Sequence, residues 1–353
     1  MENLIIDGTI IGKGCKPYVI AELSGNHQGQ LKRCLEMIEM AAACGVNAIK
    51  LQTYTADTIT IDHDGPEFQI KGGLWTGKTL YELYQEAHTP WDWHRTMFDK
   101  ASQLGVTIFS SPFDESAIDY LEELGCPAYK IASYEMIDVN LIRRAAATGK
   151  PLIISTGLAD ESEIDEALDA AASATGGAAL LYCISGYPTP IEDVNLATMV
   201  DMALRYKLPV GISDHTAGTN VAIAAVALGA SIVEKHFTIR RSDGGVDSAF
   251  SLEPSEFARL VEGCAEVHKG LGQVRYDVKP SEEGGRDFRR SLYSVSDIAL
   301  GDEINKENIR SIRPGLGLHP RYFDQLSDGS YHAVEAIKRG TPLNWTLISR
   351  KIN

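Results

Sequence analysis

Basic runs, paired cysteines and long apolar stretches are all missing from these 353 residues. No cluster of lysines or arginines occurs, and 48 acidic residues against 33 basic ones leave a formal net charge of −15. A phosphate backbone or an anionic membrane surface needs the opposite balance, so neither nucleic acid nor membrane is expected as a partner. The longest apolar stretch, Val221 to Leu228, is far short of the roughly 20 residues that a spanning helix needs. Cys15, Cys34, Cys44, Cys126, Cys183 and Cys264 contain no Cys-x-x-Cys pair and read as free thiols of a reducing compartment. The start, MENLIIDGTIIGKG, lacks a charged n-region followed by an apolar core, and the expected location is cytoplasmic. No Gly-x-Gly-x-x-Gly follows an apolar run, which argues against an open dinucleotide-binding sheet.

What is present is a repeated theme. Residues 4 to 11, LIIDGTII, set Asp-Gly between apolar arms, a strong hairpin signal. From Tyr18 onward a short β-branched run, a few small residues and an amphipathic helical stretch recur eight times. The runs are YVIAEL, AIKLQTY, VTIFSSP, AYKIAS, PLIISTG, AALLYCIS, PVGISDH and SIVEKHFT. Eight such units predict an α/β protein built on a TIM (β/α)8 barrel over residues 1–272, with the hairpin plugging its bottom. One connection, Thr55 to Pro90, is too long for a plain loop and reads as a lid over the rim or a structural insertion. After Gly272 the theme stops. Residues 273–289 have the polar, Gly- and Pro-bearing composition of a linker, and 290–353 form a small β-rich domain. Ile298, Gly301, Ile304 and Ile309 there recur at the spacing of Ile337, Gly340, Leu343 and Ile348, an internal duplication.

The chemistry collects at the strand ends, where such barrels carry their sites. Alternation turns Lys50 and Gln52 to one face, Ser213 and His215 to one face, and Glu234 and His236 to one face. Glu22, Ser110 and Ser111, Lys130 and Ser133, Ser155 and Thr156, and Ser185 and Tyr187 complete the ring. Two lysines inside apolar strands need partners: either internal carboxylates such as Glu22 and Glu234, or an anion bound among the surrounding hydroxyls. His215 and His236 read as two neutral imidazoles for a divalent metal with open positions, or as polar strand caps.

IAELSGNHQG, AIKLQTYTADTITID, IFSSPFD, YKIASYE, ISTG, YPTP, GISDHTAG, EKHFT and the late IRPGLGL together resemble the sialic acid synthase family over nearly the whole chain. Within it, FQIKGGLWTGKTLYELYQEAHTPWDWH resembles the branch that makes pseudaminic acid more than those that make N-acetylneuraminate or legionaminate. The resemblance implies condensation of phosphoenolpyruvate with an amino-sugar aldose, 2,4-diacetamido-2,4,6-trideoxy-L-altrose in that branch, with release of phosphate. It implies metal ligands at His215 and His236, with Mn2+ expected and Mg2+ or Co2+ as alternatives. Phosphoenolpyruvate contacts fall on Lys50, Gln52, Ser111, Lys130, Ser133, Ser155, Ser185 and Ser213. Ser111 and Ser185 depart from the neuraminate branch, which tends to have Thr and Asn there. Sugar contacts fall on Glu22, Tyr187, Asp247 and Arg313, with Glu22 or Asp247 moving protons and Trp75 or Phe68 walling the 6-deoxy carbon. The C-terminal domain resembles the antifreeze-like (SAF) domain. It implies a homodimer whose SAF domains swap across the two barrels, bringing Arg313 to the partner's sugar, where the alternative is a local pair with Asp324.

Three other readings explain less. A Schiff-base aldolase using Lys130 leaves the histidines idle, a metal hydrolase wants more ligands, and an ice- or sugar-binding protein has no use for buried lysines.

Overall fold

The computed structural model describes residues 3–351, so residues 1, 2, 352 and 353, at the outer ends of the two expected domains, lie outside the described residues. Two short strands, β1 (Leu4–Ile6) and β2 (Thr9–Ile11), form the expected hairpin, with Asp7 and Gly8 both at positive φ in its turn. Leu4, Ile6 and Ile11 are buried in the barrel's core, and Thr107 holds the turn by donating to Asp7 Oδ2 at 3.0 Å. Eight parallel strands then close a barrel in chain order: β3 (Tyr18–Glu22), β4 (Ala48–Thr53), β5 (Thr107–Pro112), β6 (Tyr129–Ile131), β7 (Leu152–Ser155), β8 (Ala178–Cys183), β9 (Val210–Asp214) and β10 (Ile232–His236). β10 pairs back onto β3, which removes every sheet edge. Both faces of each strand are covered, by the barrel interior and by helices, which is why the runs read as almost continuously apolar. The first helix, Leu31–Ala43, shows the matching pattern, burying Cys34, Met37, Ile38 and Ala41 at three- and four-residue spacing.

Register stacks the polar strand residues into layers. Glu22 lies opposite Lys50, Gln52 opposite Ser111, Glu234 opposite Ser213 and His236 opposite Glu22. Their side chains therefore meet inside the barrel near its carboxyl end.

The long connection is ordered. It holds a helix Ala56–Ile59 in a capping box with Thr55, a bridge between Gln69 and Thr79, and a helix Leu80–Ala87 capped by Thr79. Its ends hang on two fully buried histidines: Thr53 Oγ1 meets His94 Nε2 at 2.9 Å, and Thr89 Oγ1 meets His27 Nε2 at 3.1 Å.

The chain divides into two compact units, Met1–Gly272 and Gln273–Asn353. In the second unit β11 (Ser291–Ser294) pairs with β13 (Ile309–Ile312), and β12 (Glu303–Asn305) pairs with β14 (Asp328–Ala333), which pairs with β15 (Ile348–Arg350). The internal echo is structural. Ile298 and Ile337 exchange backbone hydrogen bonds of 2.8 Å, Gly301 and Gly340 share a left-handed backbone, and Ile304, Ile309, Leu343 and Ile348 form the common core. Residues 273–289, expected as a linker, contain a 3-10 helix, Pro280–Phe288, and Gly315 N–H donates to Asp287 O at 3.2 Å within this unit.

Burial, reinforced at His27 by His88 and His94, lowers the pKa of His27 and of His94 from 6.5 to about 4. Protonation at His27 Nδ1 also breaks its acceptance of Gly29 N–H. A folded-state pKa below the unfolded one contributes stability that is full above pH 6.5 and lost as pH falls toward 4. At pH 5 the loss is on the order of 2 kcal/mol per imidazole. Melting scans from about pH 7.5 to pH 5 should show a falling Tm, and His27→Gln or His94→Gln should lower Tm at the upper pH while flattening that slope. An unchanged slope in both variants rules these histidines out as its source.

Candidate active site

At the carboxyl end of the barrel the strand ends enclose a cavity of about 190 Å3. Lys50, Gln52, Lys130, Ser133, Ser155, Tyr187, Ser213, His215, His236 and Asp247, all expected from the sequence, line it. Three others sit behind the wall. Glu22 is wholly buried because its carboxylate turns back to Lys50 and to Gln52 Nε2, 2.9 Å away. Ser111 and Ser185 are also behind it, each with a buried hydroxyl lacking a hydrogen-bond partner. Arg313 belongs to the second unit.

The two lysines resolve differently. Lys50 Nζ lies 3.0 Å from Glu22 Oε2 and 3.2 Å from Glu234 Oε1, so the internal-carboxylate alternative holds for it. Burial opposes its charge, yet Glu22 and Glu234 together hold its pKa above the usual lysine range. Lys130 donates to Ser155 Oγ at 2.6 Å and Ile131 O at 3.1 Å and, among the described residues, has no carboxylate within ion-pair distance. Burial lowers its pKa to about 8. It remains the cation that an incoming anion can pair with.

Gly157 explains the shape of that corner. A Cβ there would stand 2.2 Å from Ser185 Oγ and 2.7 Å from Ser133 Oγ, so only glycine lets the three segments converge. Its N–H points at Ser133 Oγ, 3.2 Å away. Lys130, the Ser133 and Ser155 hydroxyls and this turn make a donor-rich cradle for phosphate or carboxylate.

Across the cavity the His215 and His236 rings are 5.3 Å apart. His215 Nδ1 is engaged with Ile184 O at 3.0 Å, which leaves Nε2 as its free lone pair. His236 Nδ1 is buried without a hydrogen-bond partner, 3.8 Å from Asp247 Oδ2. Burial, then the neighbouring His215, keeps the His236 pKa well below 6.5, which leaves a neutral imidazole. This donor set fits an ion held by two imidazoles with its other positions open. Among the described residues no three His, Cys, Asp or Glu side chains converge to close such a site. A buried pair on the opposite face of β10 steadies the strands that present the two histidines: Lys235 Nζ lies 2.7 Å from Asp214 Oδ2 and 2.7 Å from Thr216 O.

The long connection supplies an apolar lip through Ile59, Trp75, Leu83, Tyr84 and Ala87, as a lid would. Trp75 Nε1–H donates to Val246 O at 2.9 Å, pinning that lip beside Asp247. Phe68, the other aromatic expected there, packs on His63 instead and does not reach the cavity.

Sequence reasoning missed several lining groups, among them Ser24, Cys183 and Glu135. Burial raises the Glu135 pKa to about 7, and its Oε2 has no hydrogen-bond partner. Glu135 stands in the turn after β6, where alternation no longer tells which way a side chain points, although YKIASYE had marked the segment.

The NeuB family profile matches residues 37–276. A pseudaminic acid synthase of Campylobacter jejuni subsp. jejuni (strain 81-176) is 42% identical over 88% of this chain and 91% of its own length. The pseudaminic acid synthase of Helicobacter pylori (strain 26695) is 40% identical over 95% of this chain and 99% of its own. Among solved structures, an N-acetylneuraminic acid synthetase from Leptospira borgpetersenii superposes with a TM-score of 0.72 at 31% identity, over 80% of this chain and 95% of its own. This chain belongs to the NeuB family.

Gly157→Ala should weaken binding of a phosphate-bearing ligand about tenfold or more, roughly 1.4 kcal/mol, and should also lower Tm, since the segments it joins must part. Equal affinities by calorimetry would remove the cradle from the anion site.

Proposed function

We infer that this chain condenses phosphoenolpyruvate with 2,4-diacetamido-2,4,6-trideoxy-L-altrose and water, giving pseudaminic acid and phosphate. The likeness to two pseudaminic acid synthases over nearly full lengths carries the reading. The neuraminic acid synthetase, which represents the same chemistry on another amino sugar, is more distant at 31%.

In this reading Lys130, Ser133, Ser155 and the Gly157 turn hold the anionic groups of phosphoenolpyruvate, while Lys50 keeps the carboxylates of Glu22 and Glu234 in place beneath them. Asp247, Tyr187 and the Trp75 lip face the sugar. His215 and His236 would hold a divalent cation, Mn2+ by expectation, whose Lewis acidity polarises the sugar aldehyde. C3 of phosphoenolpyruvate bonds to the aldehyde carbon, whose oxygen takes up a proton. Water adds at C2 and loses a proton, and phosphate leaves as the C2–O bond breaks. Glu135, with a pKa near neutrality, is suited to take the proton from that water, and Asp247 to serve the aldehyde oxygen. Glu22, turned away from the cavity toward Lys50, serves as a brace.

Purified protein with Mn2+ should release phosphate from phosphoenolpyruvate only when an acceptor is present, and a chelator should stop it. The altrose derivative should show a higher kcat/KM than N-acetylmannosamine or the diacetamido precursor of legionaminate. Release without acceptor, turnover in excess chelator, or preference for N-acetylmannosamine each contradicts a named part of the reading.

We also propose that Arg313 acts in trans, through a two-fold homodimer whose C-terminal domains cover each other's barrels. Arg313 is exposed and, among the described residues, forms no ion pair, with Asp324 or any other acid. His215→Ala and Arg313→Ala should each be nearly inactive. Co-refolded in equal amounts, they should recover about a quarter of wild-type sites, because half of randomly paired dimers are mixed and one site in each is whole. No recovery from dimers shown to have exchanged chains excludes the swap.

A further inference from the structure

The turn that follows β3, within SGNHQG, holds a strained residue. Ser24 has φ +46°, the left-handed region where a residue bearing a Cβ is disfavoured. It is buried and lines the cavity. Its N–H donates to Glu22 Oε1 at 3.1 Å, and its hydroxyl donates to Asp247 Oδ2. Gln52 Nε2 lies 3.5 Å from the same hydroxyl, so the chain Glu22, Gln52, Ser24, Asp247 runs unbroken from the cavity floor to its mouth.

Asp247 needs such support. It lies between two 3-10 turns, Arg241–Asp243 and Ser248–Phe250, with no strand or helix of its own to aim it. Two side chains of the SGNHQG turn reach it. The wholly buried Asn26 accepts from Asp247 N–H at 3.3 Å and Ser248 Oγ–H at 3.1 Å, and donates to Phe237 O and Ser251 Oγ at 2.9 Å each. Asn26 thus fixes the backbone around Asp247, whereas Ser24 touches its carboxylate. If the turn alone mattered, glycine would adopt this backbone without strain. Serine is the smallest residue that adds a hydroxyl donor.

We propose that Ser24 is a positioning residue for Asp247: its left-handed backbone sends the hydroxyl to Oδ2 and sets the direction of that carboxylate toward the acceptor sugar. The inference rests on the reading of Asp247 as the acceptor-side group. A positioning role acts through Asp247 and nothing else, which a double-mutant cycle can isolate.

Ser24→Ala, Ser24→Gly, Asp247→Ala and the two doubles would be assayed for kcat and for the KM of each substrate. Each Ser24 variant should lose roughly 10- to 100-fold in kcat/KM for the acceptor, with the KM for phosphoenolpyruvate within about twofold of wild type. Ser24→Gly should do so with a Tm equal to or above wild type, because it relieves the left-handed strain; it also serves if the alanine variant does not fold. In the Asp247→Ala background neither Ser24 change should cost more than about threefold further. Ser24 variants within about threefold of wild type, or losses that multiply with that of Asp247→Ala, overturn the inference and leave Asp247's role standing. A fully active Asp247→Ala overturns that role and the inference with it.

Discussion

Lys50 sits between Glu22 and Glu234 on the floor of the cavity, and most of what surrounds it follows from the cost of burying charge in a protein core that is otherwise largely apolar. Removing one member of such a cluster strands the others and typically costs 3–5 kcal/mol. The three are therefore better understood as a brace than as freely titrating reagents. Burial raises the Glu22 pKa, whereas Lys130 and Lys50 together outweigh burial and hold the Glu234 carboxyl below its usual range. Lys130, 100 residues and more from those carboxylates in sequence, shares their field without touching them. That leaves Lys130 for an arriving anion.

The same economy of partners appears at the mouth. The turn after β3, the long connection and the irregular segment around Asp247 have little regular structure of their own there, and each is held by the others: Trp75 on Val246, Ser24 and Asn26 on Asp247, His27 on Thr89. Gly25 belongs to the same junction, since a Cβ there would come within 2.5 Å of Val246 Cγ2 and 3.0 Å of Ala87 O. Local hydrogen bonds of this kind place loop residues as firmly as strand residues, provided that all their polar groups are satisfied. The buried imidazoles that hang the connection stay neutral for the same reason that His236 does, because desolvation penalises the charged form.

Much of this was legible in the chain itself. Eight apolar runs alternating with helical patterns predicted the barrel, Asp-Gly predicted the hairpin, and the repeat of Ile298, Gly301, Ile304 and Ile309 predicted the paired halves of the C-terminal unit. These features depend on short-range periodicity and backbone preference, which are written residue by residue. Alternation also put Lys50 with Gln52, Ser213 with His215 and Glu234 with His236 on shared faces, because parity along a strand says which side chains lie together.

Parity says nothing of depth or partner. Glu22, Ser111 and Ser185 have the right parity and stand behind the cavity wall, and nothing in the sequence told that Lys50 is paired and Lys130 is not. Ser24 and Glu135 lie in turns, where no period applies, and the direction of Ser24 is set by a residue far along the chain, Asp247. Residues 273–289 have a linker's composition but fold with the second unit, a matter of contacts rather than content. The sequence by itself determined which elements form and which way their side chains face. Only closure of the barrel decided which charges neutralise one another, because that depends on distances across the ring between strands far apart in the chain.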